Sequence, residues 1–316
     1  MKAVFLDWAT MGPGLDTSPL LALLPELEVF DETAGQQVAT RIQDAEYVFA
    51  NKIRLDDELL QRSPRLRFVG LTATGTDNVD LASAGRHGIA VCNIRAYCTR
   101  SVVEHVFGCL LSLTHSLRQY TTDVRAGAWQ KASDFCLLTH PVRELSAMTL
   151  GIVGYGELGR GVAAAAKTFG MQVIVSARPG GRAEEGRVSF DELLARADVI
   201  SLHCPLNDDT HKLFSAAQFA RMKNDAILIN TARGGLVDSA ALAAALGSGQ
   251  IAAAAIDVLP KEPPVHGDPL LDYAGDNLIV TPHIAWATNE ARQAAINELA
   301  ANVAAFMDGR EKNRVV

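Results

Sequence analysis

Short aliphatic and β-branched runs alternate along this chain with longer alanine- and leucine-rich stretches of helical period. That alternation is the mark of β-α-β units, whose strands are covered on both faces and read as continuous apolar runs. In the first hundred residues it predicts strands over 1–6, 47–50, 67–71 and 89–92, with helical segments such as 55–62 between them. These elements describe one small doubly wound domain. A second, more regular series predicts six strands, over 150–153, 173–176, 199–203, 226–230, 253–257 and 278–281. Six strands with intervening helices match a doubly wound, dinucleotide-binding sheet. The fold class is therefore α/β, with two parallel sheets.

Between the two series, Ser101-Val102-Val103-Glu104 has the form of a capping box. Apolar residues at helical spacing, from Val106 to Leu113, follow it and predict a long, mostly buried helix. The polar stretch 121–143, with Gly127 and Trp129, has no clear period and reads as a loop or as an arm against a partner subunit. After the last strand, Ala291, Ala295, Ile296, Leu299, Val303 and Phe306 form a helical stripe that should pack back on the first domain.

The length of 316 residues is consistent with two domains at roughly 150 residues each. No apolar run reaches the ~18 residues that would suggest a membrane span, and the start of the chain reads as a first strand rather than a signal peptide. With 29 Lys and Arg against 36 Asp and Glu, the formal net charge is −7, so no global basic field favours nucleic acid or an anionic membrane. The five cysteines, at 92, 98, 109, 136 and 204, form no metal-ligand spacing and fit free thiols in a reducing, cytoplasmic compartment.

Open parallel sheets bind ligands beyond the carboxyl ends of their strands. The first strand of the second series ends in Gly154-Tyr155-Gly156-Glu157-Leu158-Gly159, followed by a helix-forming run. The glycines allow a tight turn, close approach of a pyrophosphate and close packing of helix on strand, and the helix N-terminus supplies amide donors. An NAD site usually carries an acid about 20 residues further on, at the adenosine ribose. Here the second strand ends instead in Ser176-Ala177-Arg178, with Arg182 close behind. A hydroxyl and guanidinium groups in place of a carboxylate favour NADP over NAD, since no anion repels a 2′-phosphate.

The remaining strand ends supply a chemical set. The fourth ends in Thr231-Ala232-Arg233, the fifth in Asp257 with Glu262 after it, and the sixth in Thr281-Pro282-His283. Carbonyl reduction beside a nicotinamide needs such groups. An imidazolium gives a proton to the carbonyl oxygen, a carboxylate on its other nitrogen fixes the tautomer and favours the charged form, and a guanidinium clamps an α-keto carboxylate.

Taken together these residues resemble the D-isomer-specific 2-hydroxyacid dehydrogenases over nearly the whole chain. The cofactor loop, the segment His203-Cys204-Pro205, the stretch 229–238 (INTARGGLVD), Glu262-Pro263-Pro264 and Thr281-Pro282-His283 all match. Arg233, Asp257, Glu262 and His283 follow one another at the family's intervals of 24, 5 and 21 residues. The resemblance implies that Arg233 orients substrate, that Glu262 partners the acid/base His283, and that Asp257 lies near the nicotinamide carboxamide. It places His203, Cys204 and Pro205 at the cofactor, and assigns Thr74 and Gly75, with Lys52, to the substrate. It further implies a Rossmann cofactor domain, 101–284, inserted in a flavodoxin-like substrate domain, 1–100 with 285–316, and a homodimer with no bound metal. Within the family, the stretches 71–80, 93–105 and 281–288 most resemble glycerate dehydrogenases, also called hydroxypyruvate or glyoxylate reductases. The fold also serves cofactor-sensing corepressors and enzymes of D-lactate, phosphoglycerate, formate and phosphite. The complete Arg, Glu and His set favours the enzyme over the sensor.

Overall fold

The computed structural model describes residues 1–178 and 186–316, so Arg182 lies outside the described residues. The chain forms two compact units, 1–98 with 287–316, and 99–286. The divisions fall two residues from the 100/101 and 284/285 positions read from the sequence.

In the first unit, β1 (Ala3–Phe5), β2 (Leu27–Val29), β3 (Tyr47–Ala50), β4 (Phe68–Leu71) and β5 (Ala90–Cys92) form one parallel sheet in the order β2-β1-β3-β4-β5. This is the flavodoxin-like order. The sequence pattern missed β2, and its position explains why. It is an edge strand with Glu28 and Val29 exposed, so it lacks the continuous apolar run of a strand covered on both faces. The helix Asn289–Met307 covers β4, with Leu299 against Gly70 and the Phe306 ring 5.0 Å from that of Phe68. The C-terminal residues then run beside β5, where the Val315 amide donates to the Val91 carbonyl at 2.8 Å.

The second unit holds β6 (Thr149–Val153), β7 (Gln172–Val175), β8 (Val199–Leu202), β9 (Ile227–Asn230), β10 (Ala253–Ile256) and β11 (Leu278–Val280). All pairings are parallel, in the order β7-β6-β8-β9-β10-β11. The order reverses at β6, between β7 and β8, and ligands of such sheets bind at that switch point. Outside β7, where a dinucleotide sheet carries its next strand, a single bridge joins Ser176 to Val188. The Ala177 amide donates there to the Val188 carbonyl at 2.8 Å.

Two local expectations are corrected. The long helix runs Thr99–Thr114, so Ser101 lies inside it and caps nothing; its hydroxyl donates to the Ala285 carbonyl at 2.7 Å. The stretch expected as an irregular arm begins inside a helix, Leu117–Arg125, followed by a short 3-10 turn, Trp129–Lys131. That helix buries none of its residues fully, so no apolar stripe announced it.

β8 runs directly into His203, whose amide donates to the Val153 carbonyl at 2.7 Å. Its Nε2 lies 2.8 Å from Ser201 Oγ, while Nδ1 is enclosed without a partner among the described residues. The residue as a whole is half-buried, and the enclosure of the nitrogens governs its charge. Burial pushes the imidazole down from 6.5 to about 4. Between those pH values the unfolded chain binds a proton that the folded protein refuses, so stability falls as the pH drops through that window. The loss is at most about 3 kcal/mol. His203→Gln, which stays polar but cannot titrate, is expected to flatten this part of the curve. Melting temperatures of both proteins from pH 7 to pH 4 provide the measurement, and parallel curves would contradict it.

Candidate active site

The loop after β6 is shaped by contacts that only glycine permits. Gly154 has φ +95°, and a Cβ there would lie 2.5 Å from the Cys204 amide nitrogen, so the loops after β6 and β8 touch backbone to backbone. A Cβ on Gly159 would lie 2.1 Å from the Gly154 carbonyl oxygen, so the helix Glu157–Thr168 packs directly on the turn. Beside the turn the space is open: among the described residues no other segment comes within 4 Å of a Cβ placed on Gly156, the helix's N-cap residue. An open cradle over free helical amides is what a pyrophosphate requires. Glu157 is turned toward the long helix, where Thr99 Oγ1 donates to its carboxylate. Tyr155 accepts at its carbonyl from Arg160 Nη1 at 3.2 Å.

At the end of β7 the three residues expected at the adenosine differ in their engagement. Ser176 is buried and its hydroxyl donates to the Ala177 carbonyl at 2.6 Å, and Ala177 is buried as well. Arg178 is exposed. Beyond β9, the Thr231 hydroxyl is buried without a partner among the described residues, like His203 Nδ1 beyond β8. A buried polar atom left unpaired costs about 1–3 kcal/mol. Two of them at adjacent strand ends fit a polar ligand supplied from outside the chain, and with the cradle they fit a dinucleotide. Burial pushes the Cys204 thiol up to about 11, so it stays protonated at neutral pH. Pro205 is exposed, and Ala232 donates its amide to Asn230 Oδ1 at 3.0 Å.

The chemical residues stand at the neighbouring strand ends. His283 Nδ1 lies 2.6 Å from Glu262 Oε2, and the Leu259 amide donates to Glu262 Oε1 at 2.8 Å. Both carboxylate oxygens are therefore engaged, and the pair is fixed in orientation. The side chains are 28% and 33% exposed, so the imidazole stays within reach of a solute. Arg233 is half-buried just past β9, with Nη1 donating to the Ala232 carbonyl at 2.8 Å.

Asp257 behaves differently from a free cofactor ligand. Its side chain is 1% exposed. Oδ1 accepts from Thr281 Oγ1 at 2.5 Å and from the Ile284 amide at 2.9 Å, while Oδ2 accepts from the Ala285 amide at 2.8 Å. The Asp257 carbonyl accepts from the His283 amide at 2.8 Å. These bonds hold His283 at φ +58°, a left-handed conformation that a residue with a Cβ seldom adopts. The carboxylate expected beside a nicotinamide carboxamide thus holds the turn that carries His283.

In the first unit, Lys52 follows β3, and Thr74 and Gly75 follow β4. Sequence reasoning missed the buried Asp7, which accepts from the amides of Asn51, Lys52 and Ile53 at 2.6–3.2 Å and fixes the Lys52 loop. A lone acid at a strand end carries no further signal. Thr74 Oγ1 donates to the Ile94 carbonyl at 3.0 Å, and the Thr74 carbonyl accepts from Asn93 Nδ2 at 2.7 Å. His105 was also missed as a site residue, because it reads as one more polar residue on an apolar helix. Its Nε2 lies 3.2 Å from Thr281 Oγ1.

Residues 107–285 match the model of the D-isomer specific 2-hydroxyacid dehydrogenase NAD binding domain. The chain is 43% identical to a glycerate dehydrogenase from Methylorubrum extorquens, over 99% of this chain and 98% of that one. It is 38% identical to a hydroxypyruvate reductase from Blautia hydrogenotrophica, over 100% and 99%. Among solved structures, the TT0316 protein from Thermus thermophilus superposes with a TM-score of 0.87 at 32% identity, covering the whole of both chains. With its two parallel-sheet domains and its engaged His283–Glu262 pair, the chain belongs to the D-isomer specific 2-hydroxyacid dehydrogenases, NAD-dependent enzymes acting on CH–OH groups.

Proposed function

We propose that the protein reduces a small 2-keto acid, hydroxypyruvate or glyoxylate, to the D-2-hydroxy acid, reversibly and with NADPH preferred over NADH. The observation that carries the chemistry is the His283 Nδ1 to Glu262 Oε2 contact at 2.6 Å, with Glu262 anchored at its other oxygen. It leaves His283 Nε2 to face the reacting oxygen. The similarity to glycerate dehydrogenase and hydroxypyruvate reductase supports the substrate class.

The cofactor, when bound, supplies the hydride. Gly154, Gly156 and the amides opening the helix Glu157–Thr168 receive its pyrophosphate. Thr231, His203 and the backbone at Ala232 and Cys204 line the nicotinamide end. His283 Nε2 donates a proton to the substrate oxygen as the carbonyl carbon is reduced, and Glu262 holds the ring and compensates its charge. Arg233 holds the substrate carboxylate and polarises the carbonyl. In the first unit, Lys52 and the backbone at Thr74 and Gly75 are assigned to substrate. Five cysteines outside any disulfide fit a reducing, cytoplasmic setting.

A panel of α-keto acids assayed with NADH and NADPH tests the substrate and cofactor classes together. His283→Ala should lower kcat about a hundred- to ten-thousand-fold and leave cofactor titrations unchanged. Glu262→Gln should fall between that variant and the wild type. Turnover near wild type in His283→Ala would remove the assigned proton donor.

Preference for NADPH rests on the exposed Arg178 and on Ser176-Ala177-Arg178 standing at the end of β7 in place of an acid. Arg178→Ala is expected to weaken NADPH about tenfold and to leave NADH unchanged. Equal losses for both cofactors in fluorescence titration would refute pairing with the 2′-phosphate.

The homodimer reading is supported by side chains after the helix Leu117–Arg125. Phe135 is 90% exposed and Leu138 86%, with Trp129 and Val142 also exposed. An isologous interface would cover this apolar surface. Light scattering at micromolar concentration should return twice the chain mass, and a monomer there would exclude the dimer.

A further inference from the structure

Ser101, His105 and Cys109 are spaced four residues apart on the helix Thr99–Thr114 and share one face. That face meets the turn bearing His283 at two points. Ser101 Oγ donates to the Ala285 carbonyl at 2.7 Å, and His105 Nε2 lies 3.2 Å from Thr281 Oγ1 and 3.8 Å from Asp257 Oδ1. The direction of the bonds follows from counting protons. A threonine hydroxyl has one proton, and Thr281 gives it to Asp257 Oδ1. Its oxygen is then an acceptor, so His105 carries a proton on Nε2 and donates. The chain of donors therefore runs from His105 to Thr281 to Asp257, whose oxygens also take the Ile284 and Ala285 amides.

We propose that His105 is a positioning residue, which acts through Thr281 and Asp257 to hold the left-handed His283 turn in its reactive orientation. His283 at φ +58° has no intrinsic preference for that conformation. Its geometry depends on Asp257 keeping both oxygens aimed at the two following amides. His105 fixes the Thr281 hydroxyl in the rotamer that points at Oδ1, beside a carboxylate that is otherwise enclosed. Cys109 Sγ lies 3.6 Å from the same nitrogen. With the donor removed, the hydroxyl is free to rotate, Oδ1 loses a partner, and the turn loosens around the proton donor. Misplacement of a reacting group by about 1 Å can cost about a hundredfold in rate.

The consequence for rate rests on the reading of His283 as the proton donor, so the experiment has one arm that does not use activity. In the full-length protein with NADPH, hydrogen exchange is followed on the peptide spanning 281–286 in wild type, His105→Leu and His105→Gln. The leucine variant should exchange the Ile284 and Ala285 amides about tenfold faster, and glutamine, which restores a donor, should return the rate to near wild type. With hydroxypyruvate as substrate, kcat should fall about tenfold in His105→Leu and recover in His105→Gln, while KM, NADPH affinity and melting temperature stay at wild-type values. Should the leucine variant not fold, Thr281→Val removes the relay hydroxyl and is expected to give the same exchange signature. Unchanged exchange in the variants lacking the donor overturns the proposal. So does a loss of kcat that glutamine fails to restore, or one that tracks equal losses in cofactor affinity and melting temperature. A wild type that reduces no keto acid would overturn the functional reading alone, since the exchange arm would still answer for the turn.

Discussion

The second unit is organised around the enclosed carboxylate of Asp257. A buried charge is tolerated only when its lone pairs are engaged, and here a hydroxyl and two backbone amides engage them. The arrangement depends on sheet register. Ile256 pairs with Val280 across β10 and β11, so the first residues past the two strands, Asp257 and Thr281, are neighbours by construction. Once the carboxylate is fixed there, the chain past Thr281 must turn sharply to present consecutive amides to it. The left-handed backbone of His283 is the cost of that turn, on the order of 1–3 kcal/mol, and the surrounding bonds offset it.

That constraint explains why the His283–Glu262 pair is held in place while still reachable. Glu262 is anchored by the Leu259 amide, His283 by the turn, and the Trp286 indole donates to the His283 carbonyl at 3.0 Å. Each side chain has its degrees of freedom removed by a backbone contact rather than by burial, so both remain about a third exposed. In the proposed reaction, preorganisation of this kind would let a proton be delivered without first ordering the donor.

The cofactor cradle follows from a second register effect. β6 and β8 are direct neighbours, and their loops are in backbone contact at Gly154 and Cys204. His203, just past β8, has Nδ1 enclosed without a partner among the described residues, and burial depresses the imidazole's basicity. At the other side of β6 the sheet is thin, since a single bridge at Val188 stands outside β7. There Ser176 spends its proton on its own neighbour, and Arg178 is left as the exposed charged group of the strand end.

The sequence by itself determined the α/β class and six strands of the second sheet to within one residue at each end, and it named the residues that stand at their ends. Buried parallel strands must be continuous apolar runs, and glycine spacing together with acid, arginine and histidine at strand ends carries chemistry that few other constraints impose. It could not see β2, whose edge position removes the pattern, nor the helix Leu117–Arg125, which buries no face. It assigned Ser101 to a cap, although local spacing is equally satisfied by a hydroxyl inside a helix that bonds a carbonyl 184 residues away. Likewise, the enclosure of Asp257, the support of Asp7 under the Lys52 loop and the link from His105 to Thr281 were decided only by tertiary structure. Each joins residues distant in the chain through bonds whose partners no local pattern specifies, and only folding determines which oxygen meets which amide.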